Sequence, residues 1–419
     1  MKNKRLWQPI RAHKVLLLWV SFLAWPALAA QSFIIINPYK GTDGKGPYSK
    51  WVGTSSHTHT LATGSSGTTP QLFTDGAALN LTLIPVNDKN VVTADPGSHK
   101  QQFYWPGYEE TMTGQHMLCL GCATWPGPRT SNQDAINKIH AQKALAIIAH
   151  PNFGNYWQNS DVPGLAGFDG VEVANGQGYI GWSFWDTALG EGRQVIGTGG
   201  NDLYARGYAE VMFVNSRNGT MADLVDNLKS GNFYGSDVCT TAAAGCTPGH
   251  SFALRMTQSS NTLTAAFQYS ETDSTAQNPS FVTWFCGYPS PGSACGTGPT
   301  YTITGNEMYV RAVFGNPFYG PARAWSQPIY VIPTVNGVPP PVITSAISAK
   351  ATAGVNFTYA ITATNNPTSF AASGLPAGLS LNTTTGLISG VPQSYGSATV
   401  ILSASNAAGT RTNPLTLTE

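Results

Sequence analysis

Along the first half of the chain, short apolar runs alternate with polar segments of helical pattern. "LNLTLIPV", "LAIIAHP", "FDGVEVANG" and "RQVIGTGG" read as strands, being short and bounded by turn residues. "QDAINKIHAQKA" and "MADLVDNLKSGN" carry apolar residues near helical spacing, and the second stops at Gly231. Alternating strand-like and helix-like runs over residues 48–230 predict an α/β layer architecture with parallel strands. From about 235 to 333 the pattern becomes period-two, in "SFALRMTQ", "TLTAAFQYS", "FVTWFCGY", "EMYVRAVFG" and "PIYVIP". That stretch predicts a β-sandwich-like region. "TVNGVPPPVITSA" reads as a linker, and a second β pattern follows in "NFTYAITATN" and "GSATVILSASNAAG".

The first thirty residues stand apart. Lys2, Lys4, Arg5, Arg11 and Lys14 precede the apolar run "VLLLWVSFLAW", and Ala27-Leu28-Ala29 supplies small residues for cleavage. The run is too short to span a bilayer and reads as a signal peptide, which predicts a secreted or periplasmic protein. No later stretch looks transmembrane. The expected organisation is a leader at 1–30, a first domain at 31–232, a β-rich extension at 233–333, a linker at 334–341 and a terminal β domain at 342–419.

Charge then narrows the partners. Without the leader's five positive charges, 22 basic against 21 acidic residues becomes 17 against 21, a net charge of −4. Charged residues make up only 10% of the chain, well under the usual quarter or so. No basic field is available to hold nucleic acid. The six cysteines fall in close pairs, Cys119 with Cys122, Cys239 with Cys246 and Cys286 with Cys295. In an exported chain this favours three local disulfides; a zinc site at "CLGC" would want a second CxxC.

Candidate chemistry gathers in the first region. "WVGTSSHTHT" places His57 and His59 on alternate positions, in a chain with eight histidines. On a strand they would point to one side and begin a metal site. Further candidates sit where apolar runs end: Asp88 and Lys89 in "LIPVNDKN", Glu109 and His116 in "PGYEETMTGQHMLCLG", His150 in "AHPN", Glu172 in "DGVEVANG", Asp202 and Tyr204 in "GTGGNDLYA". Each has an ordinary reading as a cap or a buried pair. Together, at strand ends, they could converge on a divalent metal with an open position for water. Trp182, Phe184 and Trp185 read as core, and the aromatics of "FYWPGYEE" and "NYWQNS" as a rim.

In this order the motifs resemble the PHP family, the polymerase and histidinol phosphatase domain, over about Ser49–Gly231. The resemblance implies a distorted (βα)7 barrel of PHP type, followed here by a β-sandwich-like extension, and a cluster of divalent metals. It implies His57, His59, Glu109, His116, His150 and Asp202 as metal ligands, with Glu109 bridging. Where the family has "TDHN" this chain reads "NDKN", and where it has "DxH" this chain reads "NDLYA". Lys89 and Tyr204 therefore stand in place of ligand histidines, which lowers the expected complement to one or two ions, Zn or Mn with Fe as a third option. Lys89, Tyr204 and Arg206 become candidates to neutralise charge in the reaction. Glu172 becomes a candidate to orient a histidine.

Beyond Pro340, "GLPAGLSLNTTTGLISGVPQ" resembles the immunoglobulin-like domains of bacterial surface and secreted proteins. Lys350, Arg411 and Glu419 are its charged residues, so no chemistry is expected there, only a spacer or a contact with a cell surface or polysaccharide. The function expected for the chain is a metal-dependent hydrolase acting through a metal-activated water, a phosphoesterase on a small-molecule substrate. The alternatives are a carbamate or amide hydrolase on the same site, or a metal-depleted binding or surface-attachment protein.

Overall fold

The computed structural model describes residues 32–39, 50–63, 67–79, 81–97, 102–111, 114–154, 156–176, 181–202, 210–237, 252–269, 282–287, 290–315, 324–393 and 396–418. The leader, Tyr204, Arg206 and the Cys239/Cys246 pair lie outside them. The first region supplies strands β1 (Ser32–Ile36), β2 (Lys50–Thr54), β3 (Leu81–Val86), β4 (Phe103–Glu110), β5 (Met117–Leu120), β6 (Leu145–Ile148), β7 (Gly170–Asn175), β8 (Ile196–Gly200), β9 (Glu210–Ser216) and β10 (Phe233–Asp237). Its helices are α1 (Thr69–Ala78), α2 (Asn132–Ala141), α3 (Trp182–Gly190) and α4 (Met221–Lys229). Helix α2 starts where Ser131 accepts a hydrogen bond from Asp134 N, and α4 where Thr220 does the same for Asp223 N. The stop read at Gly231 is real: its φ of +77° is one that glycine adopts without strain.

The strands are β2-β3-β4-β5-β6-β7-β8 in spatial order, continued on the other side of β2 by β9 and β10. Pairs β2/β3, β3/β4, β6/β7 and β7/β8 are parallel, but β4/β5 and β5/β6 are antiparallel. This corrects the all-parallel reading. Residues 111–116 are too few for a crossover, so β5 must turn back on β4. In place of seven strand–helix units, the described residues hold one mixed, β-rich sheet with four α-helices. Strands β6, β7 and β8 are buried at every position, as expected of strands covered on both faces.

The extension contributes β11 (Phe252–Ser259), β12 (Thr262–Tyr269), β13 (Val282–Cys286), β14 (Ser293–Thr297), β15 (Thr300–Thr302), β16 (Tyr309–Phe314), β17 (Ala324–Ser326) and β18 (Ile329–Thr334). It does not stand apart as a sandwich. Strand β17 pairs with β10, so β16, β17 and β18 prolong the first region's sheet, while β11, β12 and β15 form a separate three-stranded sheet. Phe285, Tyr309, Val313 and Trp325 are buried in one cluster with Trp182, Phe184 and Trp185. The last region is a two-layer β module. Ser348–Lys350, Gly409–Thr418, Ser397–Asn406 and Ser369–Ser373 form one sheet, and Phe357–Ala360, Leu387–Gly390 and Leu379–Leu381 the other. Phe357, Ile361, Ile388, Val400, Leu402, Leu415 and Leu417 form the core between them.

Two of the disulfides read from the sequence are present, Cys119–Cys122 and Cys286–Cys295, which suits an oxidising compartment. Among the described residues no helix is long and apolar enough to cross a membrane.

Candidate metal centre

The six candidate ligands arrive at one place from five strands. His57 and His59 lie beyond the end of β2, in an irregular segment rather than on the strand. Glu109 is near the end of β4, and His150 and Asp202 follow β6 and β8. His116 comes just before β5, whose reversed direction brings its start to the end where its neighbours finish. His150 and Asp202 have φ of +28° and +38°. Positive φ in non-glycine residues stores strain and tends to cluster where function requires a fixed geometry.

The donor atoms face one another. His57 Nε2 and His59 Nε2 are 3.0 Å apart. Asp202 Oδ1 lies 3.6 Å and 3.4 Å from them, and Glu109 Oε2 lies 3.4 Å from His59 Nε2. A tetrahedral ion with bonds of about 2.1 Å needs donors about 3.4 Å apart, so this spacing fits one ion. Glu109 Oε1 turns to a second group, 2.8 Å from His116 Nδ1 and 3.1 Å from His150 Nε2. Asp202 Oδ2 is 3.9 Å from His150 Nε2. One carboxylate thus addresses two clusters with its two oxygens. Glu109 Oε2 is buried with no hydrogen-bond partner, a position that would otherwise cost about 1–3 kcal/mol and that a cation would satisfy.

Each inner histidine has a carboxylate behind it. Glu172 Oε1 is 3.1 Å from His57 Nδ1, while Glu172 Oε2 accepts from His150 N and from Asn175 Nδ2. Asn175 Nδ2 also reaches Asp202 Oδ2 at 3.1 Å. Behind His59, Asp88 Oδ1 is 4.0 Å from Nδ1 and accepts from Thr60 N and Thr63 Oγ1, while Asp88 Oδ2 accepts from Thr60 Oγ1 and Thr93 Oγ1. This explains part of the hydroxyl-rich company of "HTHT": Thr60 positions Asp88, and Thr58 bonds Pro85 O. Carboxylate-backed imidazoles of fixed tautomer are the usual support of metal ligands.

Burial alone would lower the pKa of His57, but Asp202, Glu172 and Glu109 together hold it well above its ordinary value. Burial would raise Glu109, and His57, His116 and His150 bring it well below the carboxylate range. Asp202, which burial would also raise, is pushed down to about 2, chiefly by His57 and His59. In the absence of an ion the imidazolium of His57 thus supplies the positive charge beside Glu109 and Asp202, and a bound cation would take that proton's place.

Lys89 is half-buried, and its backbone pairs with that of Glu109. Tyr204 and Arg206 lie outside the described residues. Tyr156 packs edge-on against His116 and His150, with ring centroids 4.7 Å and 5.5 Å away, and stacks on Phe153, forming an aromatic lip. His116 is 15% exposed, whereas His57 and His59 are closed off, so the cluster opens on the His116 side. Trp182, Phe184 and Trp185 are core, as expected. Sequence reasoning missed Asn175, whose only signal is its place three residues after Glu172 on β7.

Residues 340–418 match the sequence family described as "Putative Ig domain". No curated protein matches the chain. Among solved structures, a "putative alpha-galactosidase/melibiase" from Bacteroides fragilis NCTC 9343 is 31% identical over 19% of this chain and 17% of its own, with a TM-score of 0.19. A "putative alpha-galactosidase" from the same organism is 35% identical over 19% and 17%, with a TM-score of 0.18. The chain thus spans 17% of the length of each. A two-domain protein from Bacteroides vulgatus ATCC 8482, described as containing a "predicted PHP-like metal-dependent phosphoesterase", is 13% identical over 73% of this chain and 98% of its own, with a TM-score of 0.38.

Proposed function

We propose that the chain is an exported metal-dependent hydrolase of PHP type, a phosphoesterase acting on a small substrate. The observation that carries this reading is a pair of donor groups sharing His57: His57, His59 and Asp202 in one, His57, Glu109 and His150 in the other, with His116 beside Glu109 and His150. A divalent ion such as Zn or Mn held there supplies an activated water and a Lewis acid for an ester oxygen. The chain's own residues do the rest. Glu172 orients His57 directly, and Asp88 holds Thr63, whose hydroxyl reaches His59 Nδ1. Lys89, whose backbone is bridged to that of Glu109, is proposed to neutralise the charge that a phosphoryl oxygen gathers, and Tyr204 and Arg206 are proposed for the same role. Phe153 and Tyr156 line the open side beside His150 and His116, an aromatic edge against which a substrate's organic part would rest.

The immunoglobulin-like module offers no ionisable cluster, and we assign it to holding the enzyme at a cell surface or polysaccharide. The test is elemental analysis of the purified protein beside a His57→Ala/His59→Ala variant, with p-nitrophenyl phosphate and bis(p-nitrophenyl) phosphate as probes. About one or two transition-metal ions per chain, lost in the variant together with phosphoester hydrolysis, supports the reading. Turnover of a p-nitroanilide in place of both esters would move the substrate to the amide class. A wild-type protein that takes up neither Zn nor Mn would overturn the enzyme.

A further inference from the structure

Strand β8 runs directly into Asn201 and Asp202, so whatever fixes β8 bears on a proposed ligand. On one side β8 is paired with β7, and Ile196 N donates to Asp169 O at 3.0 Å. In a parallel ladder the next residue turns its N–H and C=O to the opposite edge. There Gly199 O accepts from Ser56 N at 3.0 Å, and Asn201 N and Asp202 N donate to His57 O at 2.8 Å and 3.1 Å. This edge is the link between Asp202 and the segment that carries both inner histidines.

One step earlier the same edge is held from elsewhere in the chain. The carboxamide of Gln327, in the connection between β17 and β18, accepts from Gly197 N and donates to Gly197 O, both at 2.8 Å. It takes the place of a neighbouring strand's peptide group. Trp325 Nε1 adds a third bond to Gly197 O, at 3.2 Å. The ring of Trp325 lies so close to Gly199 that a Cβ there would meet it at 2.9 Å, and a Cβ on Gly235 would also collide with it. The indole of Trp185 covers Gly197 in the same way, at 2.6 Å. The glycines of "GTGG" thus admit two indoles on one face. On the other face a Cβ on Gly200 would strike His57 and Glu172. Gln327 and Trp325 are fully buried, and Gln327 N is itself anchored to Tyr39 Oη at 2.6 Å.

We infer that the β-rich extension is a positioning element of the metal centre: through Gln327, aided by Trp325, it sets the register of β8 and so the place of Asp202 against His57 and His59. The inference rests on the metal reading above. Gln327 touches neither ligand nor substrate; it acts through the strand. Losing it would leave Gly197 N–H buried and unbonded, and β8 would relax toward other partners. Partners bonded directly to a ligand are worth about 10–100-fold in metal affinity; Gln327, one strand removed, should fall at the lower end of that range.

The test is a zinc titration of the full chain, with the visible spectrum of the Co(II)-loaded protein as a second readout. Gln327→Ala is compared with Leu254→Ala, which loosens the extension's separate sheet without touching β8. Gln327→Glu keeps the size and the acceptor but loses the donor, and covers the case in which the alanine variant does not fold. The expected result is a loss of about tenfold or more in zinc affinity for Gln327→Ala, a smaller loss for Gln327→Glu, and an altered Co(II) spectrum in both. Leu254→Ala should keep wild-type affinity and spectrum at a lower thermal midpoint. Unchanged affinity and spectrum in a folded Gln327 variant overturns the inference and leaves the metal reading intact. The same loss in Leu254→Ala also overturns it, by reducing the effect to stability. A wild-type chain that binds no zinc overturns the metal reading and the inference with it.

Discussion

The first and last regions of this protein are both rich in strand and both bury an apolar core, yet among the described residues only the first also buries ionisable side chains. Between residues 50 and 237 the interior holds His57, His59, Asp88, Glu109, His150, Glu172 and Asp202. Between 340 and 418 the buried side chains among the described residues are Phe, Ile, Val, Leu and Ala, with Pro beside them. Burying a charge without a partner is expensive, and a module that only has to fold and display a surface avoids it. The first region accepts several such groups at one spot and surrounds them with bonds that hold them there. Concentration of buried charge, more than strand content, separates the region proposed to do chemistry from the one proposed to carry it.

The hardest test of this contrast is to empty the centre. His57→Ala/His59→Ala should lose its bound metal and phosphoester hydrolysis altogether, as read by elemental analysis and assay. The mirror experiment is Leu402→Ala in the terminal module's core. It should cost about 2–5 kcal/mol of local stability and leave metal content unchanged. Every tryptophan lies at or before Trp325; fluorescence will therefore miss that loss, and limited proteolysis of the module should reveal it.

Smaller changes sharpen the comparison. Glu172→Gln keeps the shape behind His57 but removes the charge, and should weaken zinc binding by about 10–100-fold in a competition titration. Chelation should lower the fluorescence-detected midpoint of the first region, by about 2.7 kcal/mol of stability where free metal had stood at a hundred times its Kd, and leave the terminal module's protease resistance as it was. The least effect belongs to a buried carboxylate that needs no ion. Burial would raise the pKa of Glu307, but Tyr301 Oη, its own backbone and Thr304 bring it below the ordinary value. Its stabilising contribution is present above about pH 4.3, the unfolded value, and is lost as pH falls through the lower folded value. The gap in urea midpoint between wild type and Glu307→Gln should therefore be widest at neutral pH and close on acidification.

Much of this was readable in advance, for reasons that differ by element. Strands β3, β6 and β7 are near-continuous apolar runs, and helices α2 and α4 carry their own capping residues; such local signals survive folding. The ligand candidates were visible as ionisable residues at the ends of apolar runs, a pattern fixed by the chain's course through the sheet. The reversal of β5 was missed because "FYWPGYEE" and "MLCL" did not stand out as two strands; once both are placed, the six residues between them leave no other direction. The grip of Gln327 on Gly197 was not visible, being a contact between residues 130 apart in sequence. Asp88 stood in view as a polar residue after a strand, but the three hydroxyls that hold it come from Thr60, Thr63 and Thr93, which only the folded chain brings together.

The one-sided exposure of the cluster sets an order of traffic. Among the described residues, His116 is the ligand candidate with appreciable contact with solvent, and His57 and His59 lie behind Glu109 and His150. Of the described ligand candidates His116 is 15% exposed and Asp202 7%, so the wider way out for an ion held by the inner pair runs past the outer donors. The outer position should exchange quickly and the inner one slowly, and filling the outer position should trap what lies behind it. The centre would then load last-in, first-out, keeping its inner ion through brief scarcity of metal while the outer one follows the supply.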